Sequence, residues 1–291
     1  MKLYTHKFLG EENEFGGWEE ARYVILPVPY EGAVSYGRGA AGAPDAVLEA
    51  SCYLEFYDEV LGFCPHRAGI AVAAPPAISD DHQEMHERIY HRTAEILRAK
   101  KIPVVLGGDH SISSGVFRAF KEHYGTLSCI QFDAHADLRP EYQGSRFSHA
   151  SVMARIREMT PHTLQIGIRS LSEEEARLID EQRLSVIFMH NLRRGKVDLD
   201  AALAELPDPV FITFDVDAFD WSVISSTGTP EPGGLVWDEA MAMLSRIFAT
   251  KKVVGFDVVE LAVETHDRNS PFAVAKLIYR VIGLSIAAAG R

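Results

Sequence analysis

The chain has 291 residues, 47% of them hydrophobic and 24% charged, which is the ordinary balance of a soluble globular protein. Its formal net charge is −12 with no block of basic residues. That disfavours a nucleic-acid partner, because phosphate binding needs clustered Lys and Arg, and it suits a cationic substrate, which a negative field attracts.

In chain order, the first seven residues lack the apolar core of a secretory signal. Tyr23–Val28 reads as the first strand. A helical pattern at His82–Lys100 precedes a strand at Pro103–Leu106, and a helix at Ser113–His123 precedes a strand at Leu127–Phe132. Strand Leu164–Ile168 is followed by helix Ser172–Gln182, and strand Val186–Met189 by helix Leu199–Glu205. Strand Val210–Phe214, helix Val236–Ala249, strand Val253–Val259 and helix Phe272–Ala288 complete the set. Most of the strand candidates are near-continuous apolar runs, as expected of parallel strands covered on both faces. Alternation of strand and helix predicts one α/β domain over residues 1–291, with a mostly parallel sheet between two helical layers. No stretch of about 18 uncharged apolar residues occurs, so no membrane contact is expected. The run Leu277–Ala289, interrupted by Arg280, reads as a core-packing helix too short to span. Cys52, Cys64 and Cys129 share no CxxC spacing. They argue against a disulfide framework or a thiolate zinc site and point to a reducing, cytoplasmic setting.

Parallel α/β sheets place functional groups beyond the carboxyl ends of their strands. Four strand candidates end there in unusual chemistry: Gly-Gly-Asp109-His110, Asp133-Ala-His135-Ala-Asp137, Asp215-Val-Asp217 and Glu260. Extended backbone would turn Asp133, His135 and Asp137 to one face, and Asp215 with Asp217 likewise. With His110 they make four carboxylates and two imidazoles, enough for two cations with bridging carboxylates. Without cations such a group would repel itself. Oxygen-rich ligation with two imidazoles suits Mn²⁺. Asp109 is read as a turn-shaping residue, and His82, His86 and His91 as a solvated helix face. His86-Glu87 fails the HExxH pattern because His91 falls at i+5.

The chain resembles the ureohydrolase family of arginases and agmatinases. The resemblance is carried by Gly107-Gly-Asp-His-Ser111, Phe132-Asp-Ala-His-Ala-Asp137, Ser148-His-Ala-Ser151, Phe214-Asp-Val-Asp217, Thr227-Gly-Thr-Pro-Glu-Pro-Gly-Gly234 and Gly255-Phe-Asp-Val-Val-Glu260, with Pro27–Pro44 upstream. It implies a three-layer α/β/α sandwich and two Mn²⁺ ions, one held by His110, Asp133, Asp137 and Asp215, the other by His135, Asp133, Asp215 and Asp217. It further implies a hydroxide between the ions, His149 as proton shuttle or substrate-positioning group, Glu260 as the acid gripping a guanidinium, and Asp137 or His149 as acid for the leaving amine. A homo-oligomer, trimer or hexamer, is also implied. The stretch Leu138–Phe147 is similar to that of prokaryotic agmatinases, so agmatine is the expected substrate, giving putrescine and urea, with Glu141 a candidate for its distal ammonium. Aminopropylagmatine, guanidinobutyrate and arginine are alternatives within the class. Outside it stand a single-Zn²⁺ acetylpolyamine deacetylase and a catalytically silent polyamine-binding relative. Asp220–Ser226 and Leu261–Val263 depart from the family pattern beside the expected substrate position.

Overall fold

Apolar runs of three to seven residues form the strands of this protein because both of their faces are covered. The computed structural model describes residues 1–32 and 34–290. Among these, the strands are β1 (Tyr23–Val28), β2 (Ile70–Val72), β3 (Ile102–Gly107), β4 (Ser128–Phe132), β5 (Thr163–Ile168), β6 (Val186–Phe188), β7 (Val210–Asp215) and β8 (Val253–Val259). They pair in the order β2-β1-β3-β8-β7-β4-β5-β6, every pair parallel.

Alternate side chains divide each strand between two cores. Tyr23 and Ile25 enter one, together with Val210, Ile212 and Phe214. Val24, Leu26 and Phe211 enter the other. Helices α1 (Ala43–Ser51), α8 (Trp237–Thr250) and α9 (Asn269–Ala289) close the first core, while α2 (His82–Arg98), α3 (Ser113–Tyr124) and α4 (Val152–Met159) close the second. Helix α5 (Glu173–Gln182) follows β5, and the short α6 (Met189–Arg193) and α7 (Leu199–Ala204) follow β6. The three-layer α/β/α expectation therefore holds.

Among the shorter elements, β6 and α7 were expected, whereas β2, α1, α4 and α6 were not. β2 has three residues, α6 five, and α1 and α4 nine and eight, too few turns for a periodic signal to emerge. Met189, expected to end a strand, begins α6. One expectation needs correcting. Helix α9 starts at Asn269 and runs 21 residues, so by length and composition it is long enough to cross a bilayer. Its packing on α1 and α8 makes it a core helix, and Arg280, 5% exposed, donates to buried Asp58 at 2.5 Å.

The sheet order matters most for function. β3, β8, β7 and β4 are consecutive neighbours at its centre, so four chain-distant strand ends open onto one spot.

Candidate active site

His110 follows β3, Asp133 and its neighbours follow β4, Asp215 ends β7, and Glu260 follows β8. Asp109 holds the first of these turns, as expected. Its Oδ1 accepts from Ser111 N at 3.0 Å and its Oδ2 from Gly32 N at 2.8 Å, which caps the short helical turn beginning at His110.

All six expected ligands converge. His110 Nδ1 lies 3.1 Å from Asp133 Oδ2, 3.1 Å from Asp137 Oδ2 and 3.2 Å from Asp215 Oδ2. His135 Nδ1 lies 2.9 Å from Asp217 Oδ2 and 3.6 Å from Asp133 Oδ1. Asp133 thus turns one oxygen toward each imidazole, the disposition of a bridging carboxylate, and two overlapping ligand groups share it: His110-Asp133-Asp137 and Asp133-His135-Asp217.

The reason for the convergence differs from strand alternation. Asp137 has a positive φ of 52°, and the chain beyond Asp133 has left the strand, so a bend brings Asp137 back beside His110. Asp217 sits in a 3₁₀ turn, Val216–Ala218, capped by Asp215 Oδ1, which accepts Asp217 N at 2.8 Å. Hydrogen bonds then fix the orientations. Asp133 accepts from Gln131 Nε2 and from His135 N, both at 2.6 Å, and Gln131 accepts in turn from Gln165 at 2.5 Å. Arg169, a residue the sequence reading passed over, donates to the carbonyls of Asp217 and Glu231 at 2.7 Å each and ties the two loops together.

Burial raises the cost of every charge in this group. It pushes Asp137 up to about 7, with the Asp133 charge adding to the effect. Burial also drives Asp215 well above the carboxylate range, aided by Asp217 and Asp133. For the imidazoles burial works against protonation, but the facing carboxylates outweigh it, holding His110 well above its ordinary value and His135 at about 12. Among the described residues His110 Nδ1 nevertheless has no hydrogen-bond partner, although three carboxylate oxygens lie within 3.2 Å. A buried orphan nitrogen facing a ring of oxygens fits a divalent cation, and the His/Asp donor set suits one of intermediate hardness.

The pocket over these residues has a volume of about 240 Å³, and His149, Glu260, Arg139, Tyr142, Glu175 and Thr229 also line it. Glu260 has a positive φ of 67° and is 7% exposed; its Oε1 accepts His110 N at 2.6 Å. Burial pushes its carboxyl up to about 8, with Asp109 adding to the effect. His149 is lowered to about 4 by burial and by the two cationic imidazoles. Its ring meets Tyr142 edge-on at 5.6 Å, and Arg139 lies 5.2 Å over the Tyr142 ring. Glu141 falls elsewhere. It is exposed and lines an adjoining groove that shares Arg139 and Glu175 with the pocket.

Tyr142, Arg139, Glu175 and Thr229 were not among the expected site residues, although Thr229 lies in the Thr227–Gly234 motif and Arg139 and Tyr142 in the Leu138–Phe147 stretch. Glu175 shows a signal only as the third residue after Ser172, in a capping box that opens α5. The solvated-face reading of the α2 histidines needs correcting: His86 is 8% exposed and packs on Phe147 at 4.7 Å, and His82 Nδ1 pairs with Ser145 at 2.9 Å. Only His91 is exposed. The two divergent stretches lean on each other, since Ala262 N donates to Ser226 O and Thr227 bridges to Leu261.

A model of the Arginase family matches residues 21–283. An N(1)-aminopropylagmatine ureohydrolase of Synechocystis sp. is 38% identical over 94% of this chain and 92% of its own. An agmatinase of Pyrococcus horikoshii is 34% identical over 98% of this chain and 99% of its own. Among solved structures, the agmatine ureohydrolase of Thermoplasma volcanium superposes with a TM-score of 0.88 at 29% identity, covering 99% of this chain and 97% of that one.

Proposed function

The chain belongs to the arginase family and is an amidinohydrolase, and from that premise we propose that it hydrolyses an amine-tailed alkylguanidine, agmatine or N1-aminopropylagmatine, to urea and the corresponding amine. The observation that carries this reading is the two overlapping His/Asp groups sharing Asp133, with Glu260 on the same pocket wall.

His110, Asp133, Asp137 and Asp215 would hold one Mn²⁺, and Asp133, His135, Asp215 and Asp217 the other. When bound, such ions supply Lewis acidity and make water a competent nucleophile near neutral pH. A guanidinium carbon is a poor electrophile because its charge is spread over three nitrogens, so orientation matters as much as nucleophilicity. Glu260 supplies it. One carboxylate oxygen is committed to the His110 N–H, which aims the other at the pocket as acceptor for a planar cation. The departing amine must leave protonated, and Asp137 and His149 are the pocket groups able to carry that proton. A deacetylase needs only one such ligand group, so the complete pair argues for guanidine chemistry.

The tail is the open choice. The higher identity to the Synechocystis enzyme favours aminopropylagmatine over the expected agmatine, and the pocket adjoins a groove through Arg139 and Glu175 that leaves space for a longer chain. Urea release by Mn²⁺-reconstituted protein from agmatine, aminopropylagmatine, guanidinobutyrate and arginine tests the reading. The largest kcat/KM is expected for an amine-tailed guanidine. Greater activity on arginine or guanidinobutyrate, or amide cleavage without urea, refutes it.

A further inference from the structure

Two polar residues lie in the interior of strands that are otherwise apolar until Asp215 ends β7: Thr213 of β7 and Asp257 of β8, both 0% exposed. They are direct partners in the sheet register. A carboxylate buried there is costly unless it is hydrogen-bonded. Thr213 Oγ1 donates to Asp257 Oδ1 at 2.7 Å and lies 2.9 Å from Nε2 of His110.

The direction of this chain follows from its proton count. A hydroxyl has one proton. Because the Asp257 carboxylate only accepts, the Thr213 proton goes to it, and the Thr213 oxygen must then accept from His110. In the neutral imidazole, the form that binds a cation, Nε2 therefore carries the single ring proton and the lone pair is left on Nδ1. Nδ1 is the orphan atom facing Asp133, Asp137 and Asp215. A metal-ligating imidazole commonly has its second nitrogen fixed by such an acceptor.

We infer that Thr213 and Asp257 are positioning residues, which set the tautomer of His110 so that Nδ1 is ready for a cation at that ligand group. Neither touches the pocket. The inference rests on the two-ion reading above. It also implies an asymmetry: the relay serves the His110 group alone, because the other imidazole, His135, stands outside it on a separate strand end, with its Nδ1 against Asp217.

Calorimetric titration of metal-stripped full-length protein with Mn²⁺ tests it. Wild type should bind two ions; fewer would sink the two-ion reading before the relay is at issue. Thr213→Val keeps the shape and removes the hydroxyl. It should weaken one of the two ions by about 10–100-fold, the usual effect of losing a partner behind a metal ligand, and leave the other within about twofold. Thr213→Ser should restore both. Adding His110→Asn to Thr213→Val should weaken no second site. Should Thr213→Val not fold, Asp257→Leu serves instead: the freed Thr213 hydroxyl would then donate to Nε2, push the imidazole proton to Nδ1 and weaken the same ion. Wild-type binding of both ions by either variant, equal damage from Ser and Val, or equal weakening of both ions overturns the inference.

Discussion

Replacing Glu260 by Gln isolates the charge that is to hold the substrate. Gln has nearly the same shape, and its carbonyl oxygen can still accept the His110 N–H, now made to Oε1 at 2.6 Å. The amide NH₂ is then forced to the Oε2 position, near Gly228, where it presents donors to a guanidinium that also only donates. Because Oε1 is already committed, one charge-assisted hydrogen bond is lost and not two. Such a bond contributes about 1.5–3 kcal/mol, and at about 1.4 kcal/mol per factor of ten this predicts a fall in kcat/KM of roughly 10–150-fold. The assay is urea release from agmatine and aminopropylagmatine, with Mn²⁺ content and melting temperature measured on the same samples. Metal content should hold at the wild-type value, and the metal-free protein should melt no lower, since the amide keeps the shape and the His110 N–H bond and requires no buried charge. A variant that keeps both ions and a kcat/KM within about threefold of wild type would refute the assigned role of Glu260.

Stripping the metals should lower the melting temperature and readdition of Mn²⁺ should restore it. At a free concentration 100 times Kd each ion contributes about 2.7 kcal/mol, so differential scanning fluorimetry insensitive to chelator would contradict the ligand assignment. Tyr142→Ala removes the ring that meets His149 and lies under Arg139. With aromatic contacts of this kind contributing about 0.5–1.5 kcal/mol, steady-state kinetics should show a loss of about 2–10-fold in kcat/KM, and Tyr142→Phe close to none. Asp267 accepts from the hydroxyls of Ser225, Ser226 and Ser270; burial opposes its charge, but these donors hold the carboxyl well below its usual range. Its folded value lies below the unfolded one, so its stabilisation is complete above about pH 4 and fades only as pH falls further. Melting curves of wild type and Asp267→Ala should therefore stay separated at neutral pH and converge in acid; a constant gap down to the depressed value would count against the network. Gly108→Ala places a Cβ 1.8 Å from the Tyr30 carbonyl oxygen, a backbone atom that cannot yield, and should fail to accumulate as folded, Mn²⁺-binding protein in circular dichroism and metal analysis.

What could be read from the chain alone was whatever repeats at short range. Two-face burial gave Tyr23–Val28 and Val253–Val259 their unbroken apolar runs, and both strands stand with those limits. The motifs after the strands named the six His and Asp residues that converge, and Glu260 beside them, because the chemistry that a cation demands leaves a narrow choice of side chains. Only the folded chain decided how they meet. The central order β3-β8-β7-β4 brings four distant segments together, a bend at Asp137 and a turn at Asp217 do what strand alternation was expected to do, and Thr213 comes to face both Asp257 and His110. Tyr142, Arg139 and Glu175 joined the pocket for the same reason. Proximity across a sheet is fixed by strand order and loop curvature, which no short window of sequence encodes. Ligand identity is a local property of residue chemistry, whereas ligand geometry belongs to the assembled sheet.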